Sequence, residues 1–461
     1  MKTPLLRHVQ QGVVRFAVLL CATGLLLSTA ASEAGSSSLQ QAQTAFDKKQ
    51  YAQALELLDQ LTKQSTPTAE ARRLRVKTLL KLGRPTDALG EYEQVEQADK
   101  REDIPLLREV AMGFITVLLK DMRDQMRGAA YTALKEFDSE EAVPYFEDGL
   151  SDGSGAVRVL AVEGLGRLEG GRRSPKLKKA LEDQAALVKA AAIKALGRAG
   201  DRSVIPVFEE ALKDEQASVR VAAYGALLRL GKKDAWELLR QAAAAPNPDE
   251  RAAALRVMGD LKDARGIPIL TESLRHPQPS VRGAAARAIG HLGKPEMMEV
   301  VQPVLHDPVA AVRESAAVSL GEMGNKESVS ALKQMLADSQ YSVQAAAVSA
   351  LLQLDQPYDL VAETVQKLFQ QSDAGARTAA AHALGKAGKV HARQAVEMVR
   401  SLAVDPLPGP RIVAIRSLGH IGGKEEIPLL REALRDSNEA VRATAGGALG
   451  RLLADKHHSK K

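Results

Sequence analysis

Cysteine is almost absent from this chain. The only one, Cys21, lies inside an apolar N-terminal run. A chain cut behind that run has no thiol, which excludes disulfides, thiolate metal sites and cysteine nucleophiles together. Aromatic residues make up 3% of the sequence, with a single Trp. That is too few for the stacking platforms of single-stranded nucleic-acid binders, and it suits thin layers of closely packed helices more than a broad globular core. Charge of one sign is also lacking. The formal net charge is +6, and Lys2, Arg7 and Arg15 contribute three of it from an acid-free N-terminal stretch, leaving about +3. No nucleic-acid partner is expected from so small an excess. P-loop, GxSxG, HExxH and EF-hand patterns are missing, so no catalytic residue, cofactor or metal is expected.

The first 31 residues have a basic start ending at Arg15, an apolar run from Phe16 to Leu27, and small residues at Ser28 to Ala31. This is the layout of a secretory signal, with cleavage expected after Ala30, Ala31 or Ala34. The run is short against the ~20 residues of a spanning helix. An uncleaved signal serving as a membrane anchor is the alternative. Leu20, before Cys21, occupies the place where a lipoprotein signal has a small residue. The expectation is an exported protein, periplasmic or envelope-associated, with a linker over residues 32–38.

Between residues 39 and 100 the segments KKQYAQALELL and KLGRPTDALGEY align with a 34-residue offset, pairing Ala54 with Ala88, Leu55 with Leu89 and Leu58 with Tyr92. The pattern resembles a pair of tetratricopeptide repeats, which are helix-turn-helix units of that length. The family's closing Pro is missing, and Lys49 stands where the second unit has Gly83.

A second period runs from residue 101 to 455. Eleven anchors, at Arg127, Arg158, Lys189, Arg220, Arg251, Arg282, Arg313, Gln344, Arg377, Arg411 and Arg442, are each followed three residues later by Ala and seven later by an aliphatic residue. The first seven steps are all 31 residues. Such a period predicts a solenoid of helix pairs, each burying its apolar face only against its neighbours. Gly recurs eight residues after the anchor. At plus eleven, Gly200, Gly231, Gly293, Gly324, Gly388 and Gly422 suit the left-handed residue that ends a helix. Pro144, Pro175, Pro206, Pro268 and Pro428, at plus seventeen, suit the first turn of a second helix. These features resemble HEAT repeats of the short bacterial kind also found in phycobilisome-lyase proteins. The resemblance implies an all-α, right-handed solenoid. Arg442 to Leu453 supplies a first helix with no second, so this half-unit is expected to cap the array before a basic tail at 456–461.

Asp121, Asp152, Asp183, Asp214, Asp307, Asp338, Asp405 and Asp436 each precede an anchor by six residues. They are expected to sit in the loops between units, pairing with basic residues and satisfying helix-start N–H groups. This makes a structural ladder of Asp121, Arg127, Asp152, Arg158, Asp183, Lys189, Asp214, Arg220, Asp307, Arg313, Asp405, Arg411, Asp436 and Arg442. Ala245 and His276 interrupt it, and the repeat lengthens after Gln344. His276, His291 and His306 recur every 15 residues but at different repeat phases, which predicts loop or surface histidines. No His-Glu dipeptide exists of the kind that holds iron in the HEAT-type deoxyhypusine hydroxylases.

A long repeated surface without a convergent reactive cluster predicts a non-catalytic scaffold. The expected partners are proteins or peptides, held in a groove lined by second helices, with Glu209, Glu210, Trp236, Glu237 and Glu299 as contact candidates. A monomer is expected, with at most weak contact of the basic tail with anionic lipid. The alternative, implied by the lyase resemblance, is a bilin lyase/isomerase-like or small-molecule-handling protein, which needs a pocket built from residues such as Tyr145, Phe146, Phe208 and Trp236.

Overall fold

The computed structural model describes residues 38–64, 67–388 and 390–454. The expected signal over residues 1–31 and the tail over 456–461 lie outside them. Among the described residues every regular element is helical. The chain divides into two compact units between Gly113 and Phe114.

In the first unit a helix over residues 38–47 is followed by Tyr51–Gln64, Ala69–Lys81 and Pro85–Asp99. Ala42, Leu58, Leu61, Ala71 and Leu74 form a core cluster. The residues paired by the 34-residue offset are buried alike, Ala54 with Ala88 and Leu58 with Tyr92. Lys49 and Gly83, one offset apart, both have positive φ, at 60° and 70°. Glu91 is buried between Arg72, at 2.8 Å, and Arg75.

The second unit contains eleven first helices, numbered here α1 (Asp124–Phe137), α2 (Gly155–Arg167), α3 (Ala186–Ala199), α4 (Ala217–Arg229), α5 (Pro248–Leu261), α6 (Pro279–Leu292), α7 (Ala310–Met323), α8 (Tyr341–Gln353), α9 (Ala374–Leu384), α10 (Pro408–Ile421) and α11 (Glu439–Leu452). The Ala three residues after the anchor is buried in all eleven. Glycine at plus eight brings neighbouring backbones together. A Cβ at Gly259 would lie 2.6 Å from the Cα of Ala288, one at Gly290 2.8 Å from that of Ser319, and one at Gly321 2.7 Å from that of Ala350. Glycine at these positions sets the approach of one first helix to the next.

The second helices are short. Four begin with a 3-10 turn and continue as an α segment of about two turns with Pro in its first turn, as in Ile205–Glu210 and Ile267–Ser273. Of the glycines at plus eleven, Gly200, Gly231, Gly293 and Gly324 are left-handed. Gly422 is not, with φ −79°, and neither is Gly388. Asp138, Lys262 and Asp355 take the left-handed conformation at the same position despite their Cβ atoms. In the irregular repeats the second helices Asp359–Phe369 and Ala392–Leu402 are continuous α segments of 11 residues.

The expected terminal cap is corrected by the last helix. Helix α11 packs on α1 as closely as consecutive first helices pack on each other, so the eleven units close into a ring. Arg123 Nη2 lies 2.5 Å from Glu439 Oε2. A Cβ at Gly447 would lie 2.6 Å from the carbonyl oxygen of Ala133, and one at Gly450 2.0 Å from the ring of Phe137. With first helices ~9 Å apart, eleven of them make a perimeter of about 100 Å, hence about 30 Å between opposite axes. A half-unit has the right composition to complete this ring, because its apolar face meets another first helix instead of water.

Candidate functional site

The ladder joins consecutive units. Arg127 donates from Nε and Nη2 to the Asp152 carboxylate at 2.6 and 2.8 Å, and from Nη1 to the carbonyl of Asp121 at 2.8 Å. Asp152 in turn accepts the N–H of Ser154 at 2.8 Å, capping the start of α2. The same pairing, with an Asp 25 residues beyond the basic residue, links Arg158 to Asp183, Lys189 to Asp214, Arg282 to Asp307, Arg313 to Asp338 and Arg411 to Asp436. Burial pushes the Asp152 carboxyl up, but hydrogen bonds from Arg127 and Ser154 and the Arg127 and Arg158 charges outweigh it and leave it below the ordinary range.

Each irregular rung has its own geometry. Arg220, whose expected partner position is Ala245, takes Glu250 instead at 2.9 Å. Arg251 reaches only the carbonyls of Ala245 and Ala244. The partner position of Arg251 is His276, whose Nδ1 accepts the N–H of Gln278 at 3.1 Å and so replaces Asp as a cap without replacing its charge. Arg442 bonds the carbonyl of Asp436. Across the seam Arg123 bridges Asp121 and Glu439, and this holds the Asp121 carboxyl down at about 2.

The concave wall of the ring is made by first helices, which corrects the expected groove of second helices. A cavity of about 1260 Å³ is lined from α1 through α7, including Leu187, Ala191, Ala222, Ala253 and Ala284. Only on a concave face can side chains two units apart meet. Arg198 of α3 lies 3.6 Å from Asp260 of α5, and His420 of α10 lies 2.7 Å from Glu136 of α1. The physical reason lies in the small residues at plus three and plus eight: they let first helices approach more closely than second helices do, and curvature turns toward the shorter side.

The contact candidates named from sequence are therefore on the outer belt, and the structure does not gather them into one site. Glu209 pairs with Lys232 at 2.8 Å, Glu210 with Lys213 at 3.0 Å and Glu237 with Arg240 at 2.5 Å. Trp236 lies under the Arg265 guanidinium, 4.3 Å from its ring centroid. Glu299 borders a cleft of about 300 Å³ with Thr271, Pro303 and His306. Phe146 and Phe208 are fully buried in the helix-pair core, and the carbonyl of Tyr145 accepts from the Tyr131 hydroxyl at 3.3 Å.

The charged wall of the cavity escaped the sequence reading. Its lining includes Lys135, Arg167, Lys194, Arg198, Arg256 and Arg287 against the carboxylates of Glu163 and Asp260. These residues recur five, eight or nine positions after the anchors, a periodicity that was available as a signal once the concave face was known. His291 lies between Asp260, 3.2 Å from Nδ1, and Glu322, 3.8 Å from Nε2. Among the described residues no group of three or more His, Cys, Asp or Glu is placed to hold a metal ion, and no helix is long and apolar enough to cross a membrane.

No curated protein matches the chain. Similar solved structures include the CpcE–CpcF complex of phycocyanin lyase from Nostoc, at 20% identity and a TM-score of 0.37 over 52% of this chain and 92% of that one. Human deoxyhypusine hydroxylase is 21% identical with a TM-score of 0.26 over 54% and 96%. Kap121p is 14% identical with a TM-score of 0.36 over 89% and 51%. The HEAT repeats family matches residues 111–192, 174–259, 237–320, 267–352, 298–384 and 396–457, well over half of the sequence, and the chain belongs to that family.

Proposed function

We propose that this protein is a non-catalytic protein-interaction scaffold of the cell envelope, exported by its N-terminal signal, and that it engages its partner on the concave wall of the HEAT ring. The observation that carries the reading is the cavity of about 1260 Å³ lined by seven successive first helices. A continuous wall of that kind offers many contacts spread over a long surface, and a reactive constellation would need a few groups converging on one atom. The outer belt is the weaker candidate because its charged side chains are largely paired with one another. The N-terminal helices, tetratricopeptide-like in their offset and turns, serve in this reading as a second interaction element.

The test is crosslinking and affinity capture of the C-terminally tagged protein from its native envelope, followed by mass spectrometry. A reproducible envelope protein crosslinked near lumen residues such as Lys194 supports the reading. A small molecule co-purifying with no protein partner overturns it in favour of a lyase-like or carrier role.

A further inference from the structure

The cavity has more positive charge than its own carboxylates neutralise. Of its six Lys and Arg residues, Lys135 pairs with Glu163 at 2.7 Å, Arg198 with Asp260 at 3.6 Å, Arg167 with Asp138 at 3.7 Å and Arg287 with Glu322 at 3.5 Å. Lys194 and Arg256 have no ion pair among the described residues. They occupy the same repeat position, five after the anchor, on α3 and α5. Asp260 already serves Arg198 and His291. Arg229, on the intervening helix, donates to the Asp260 backbone carbonyl at 2.7 Å, not to its carboxylate.

We infer that the wall formed by α2 to α6 binds an acidic peptide segment, with Lys194 and Arg256 receiving its carboxylates and the apolar strip of Leu187, Ala191 and Ala253 receiving its backbone and small side chains. This names the partner chemistry of the scaffold and rests on that reading. Two observations select the occupant. The wall contains no Phe, Tyr or Trp to stack a base, which disfavours nucleic acid. Apolar surface between the cations suits a polypeptide better than a bare inorganic anion. The electrostatics agree: desolvation by the surrounding wall, then the Arg256 and Arg198 charges, outweighs the Asp260 and Glu163 carboxylates and lowers the Lys194 pKa, and an anion beside it favours its charged form.

The test is fluorescence anisotropy of a labelled octaglutamate peptide on the full chain at low ionic strength, with inorganic tripolyphosphate as competitor. Saturable binding is expected, weakened about tenfold or more in Lys194→Ala/Arg256→Ala, which corresponds to at least ~1.4 kcal/mol. It should be unchanged in Lys326→Ala/Lys333→Ala on the outer belt, with melting temperatures showing that both variants fold. Equal weakening in the two variants, or tighter binding of tripolyphosphate than of the peptide, overturns the assignment. If octaglutamate does not bind but an envelope protein still crosslinks to the ring, the acidic-peptide site falls and the scaffold stands. If no protein partner is captured either, both fall.

Discussion

Arg451 donates from Nε to the backbone carbonyl of Glu136 at 3.1 Å across 315 residues of sequence. Its Nη2 lies 3.3 Å from the carboxylate of the same residue, which His420 also approaches at 2.7 Å. One acid of the first unit thus gathers side chains from the last two, and it does so on the inner wall, where curvature shortens the distances.

Closure can be broken at a single glycine. A Cβ at Gly447 meets the backbone of Ala133 at 2.6 Å, and backbone cannot turn aside as a side-chain tip can. Gly447→Val is expected to open the seam while the other ten interfaces persist, with a loss of about 1–3 kcal/mol from overpacking. Small-angle scattering should show a larger maximum dimension. An unchanged scattering profile in a folded variant would refute the claim that this contact holds the ring shut.

The rung between Arg251 and His276 is the weak one. Burial, then the Arg251 charge, lowers the pKa of His276. Because the folded value lies below the unfolded value of about 6.5, the unfolded chain binds more protons, and stability falls as pH drops below that value. His276→Asp gives Arg251 the carboxylate that its neighbours have. It should raise stability by about 1 kcal/mol and flatten the melting temperature between pH 7 and about pH 5. A melting temperature that keeps its wild-type slope across that range would mean that His276 is not the group responsible.

Much of this architecture was legible because each unit repeats its own instructions. The Ala at plus three, the anchor and the preceding Asp mark helix, layer and loop one unit at a time. Closure was not legible, since it depends on a rotation summed over eleven interfaces, and no residue encodes that sum. The concave face was open to inference from Gly259, Gly290 and Gly321, whose missing side chains bring first helices closer together than second helices. Attention to the charged residues of the second helices instead placed the candidate contacts on the outer belt. His276 could be seen as a gap in the ladder, but its capping bond to Gln278 depends on ring orientation, which spacing does not set.

Glycine at plus eight makes a testable statement about curvature as well as packing. Gly290→Leu introduces side-chain atoms where even a Cβ would lie 2.8 Å from the Cα of Ser319. The expected result is a loss of about 2–3 kcal/mol and a local flattening between α6 and α7, read by crosslinks in an Arg287→Lys/Ser315→Lys background that lengthen relative to the same background with Gly290. A stable variant with unchanged crosslinks would show that first-helix spacing does not set the curvature.

The most buried rung joins Arg377 to Asp405, whose side chains are 10% and 3% exposed and whose two hydrogen bonds are 2.6 and 3.1 Å. Burial pushes the Asp405 carboxyl up, but the Arg377 bonds, the N–H of Leu407 and the Arg377 and Arg411 charges pull it below its ordinary range. The sign follows from linkage: a depressed carboxyl contributes stability above its unfolded pKa of about 3.9, and that contribution is lost as pH falls through the folded value. Asp405→Asn leaves the guanidinium buried without its counter-charge and should cost about 3–5 kcal/mol at neutral pH. The gap between variant and wild type should narrow as the pH is lowered below about 4, because the wild-type carboxylate is then being protonated. Urea unfolding at pH 7 and at pH 3 measures both, and a gap that stays constant would show that the loss is one of packing and not of charge.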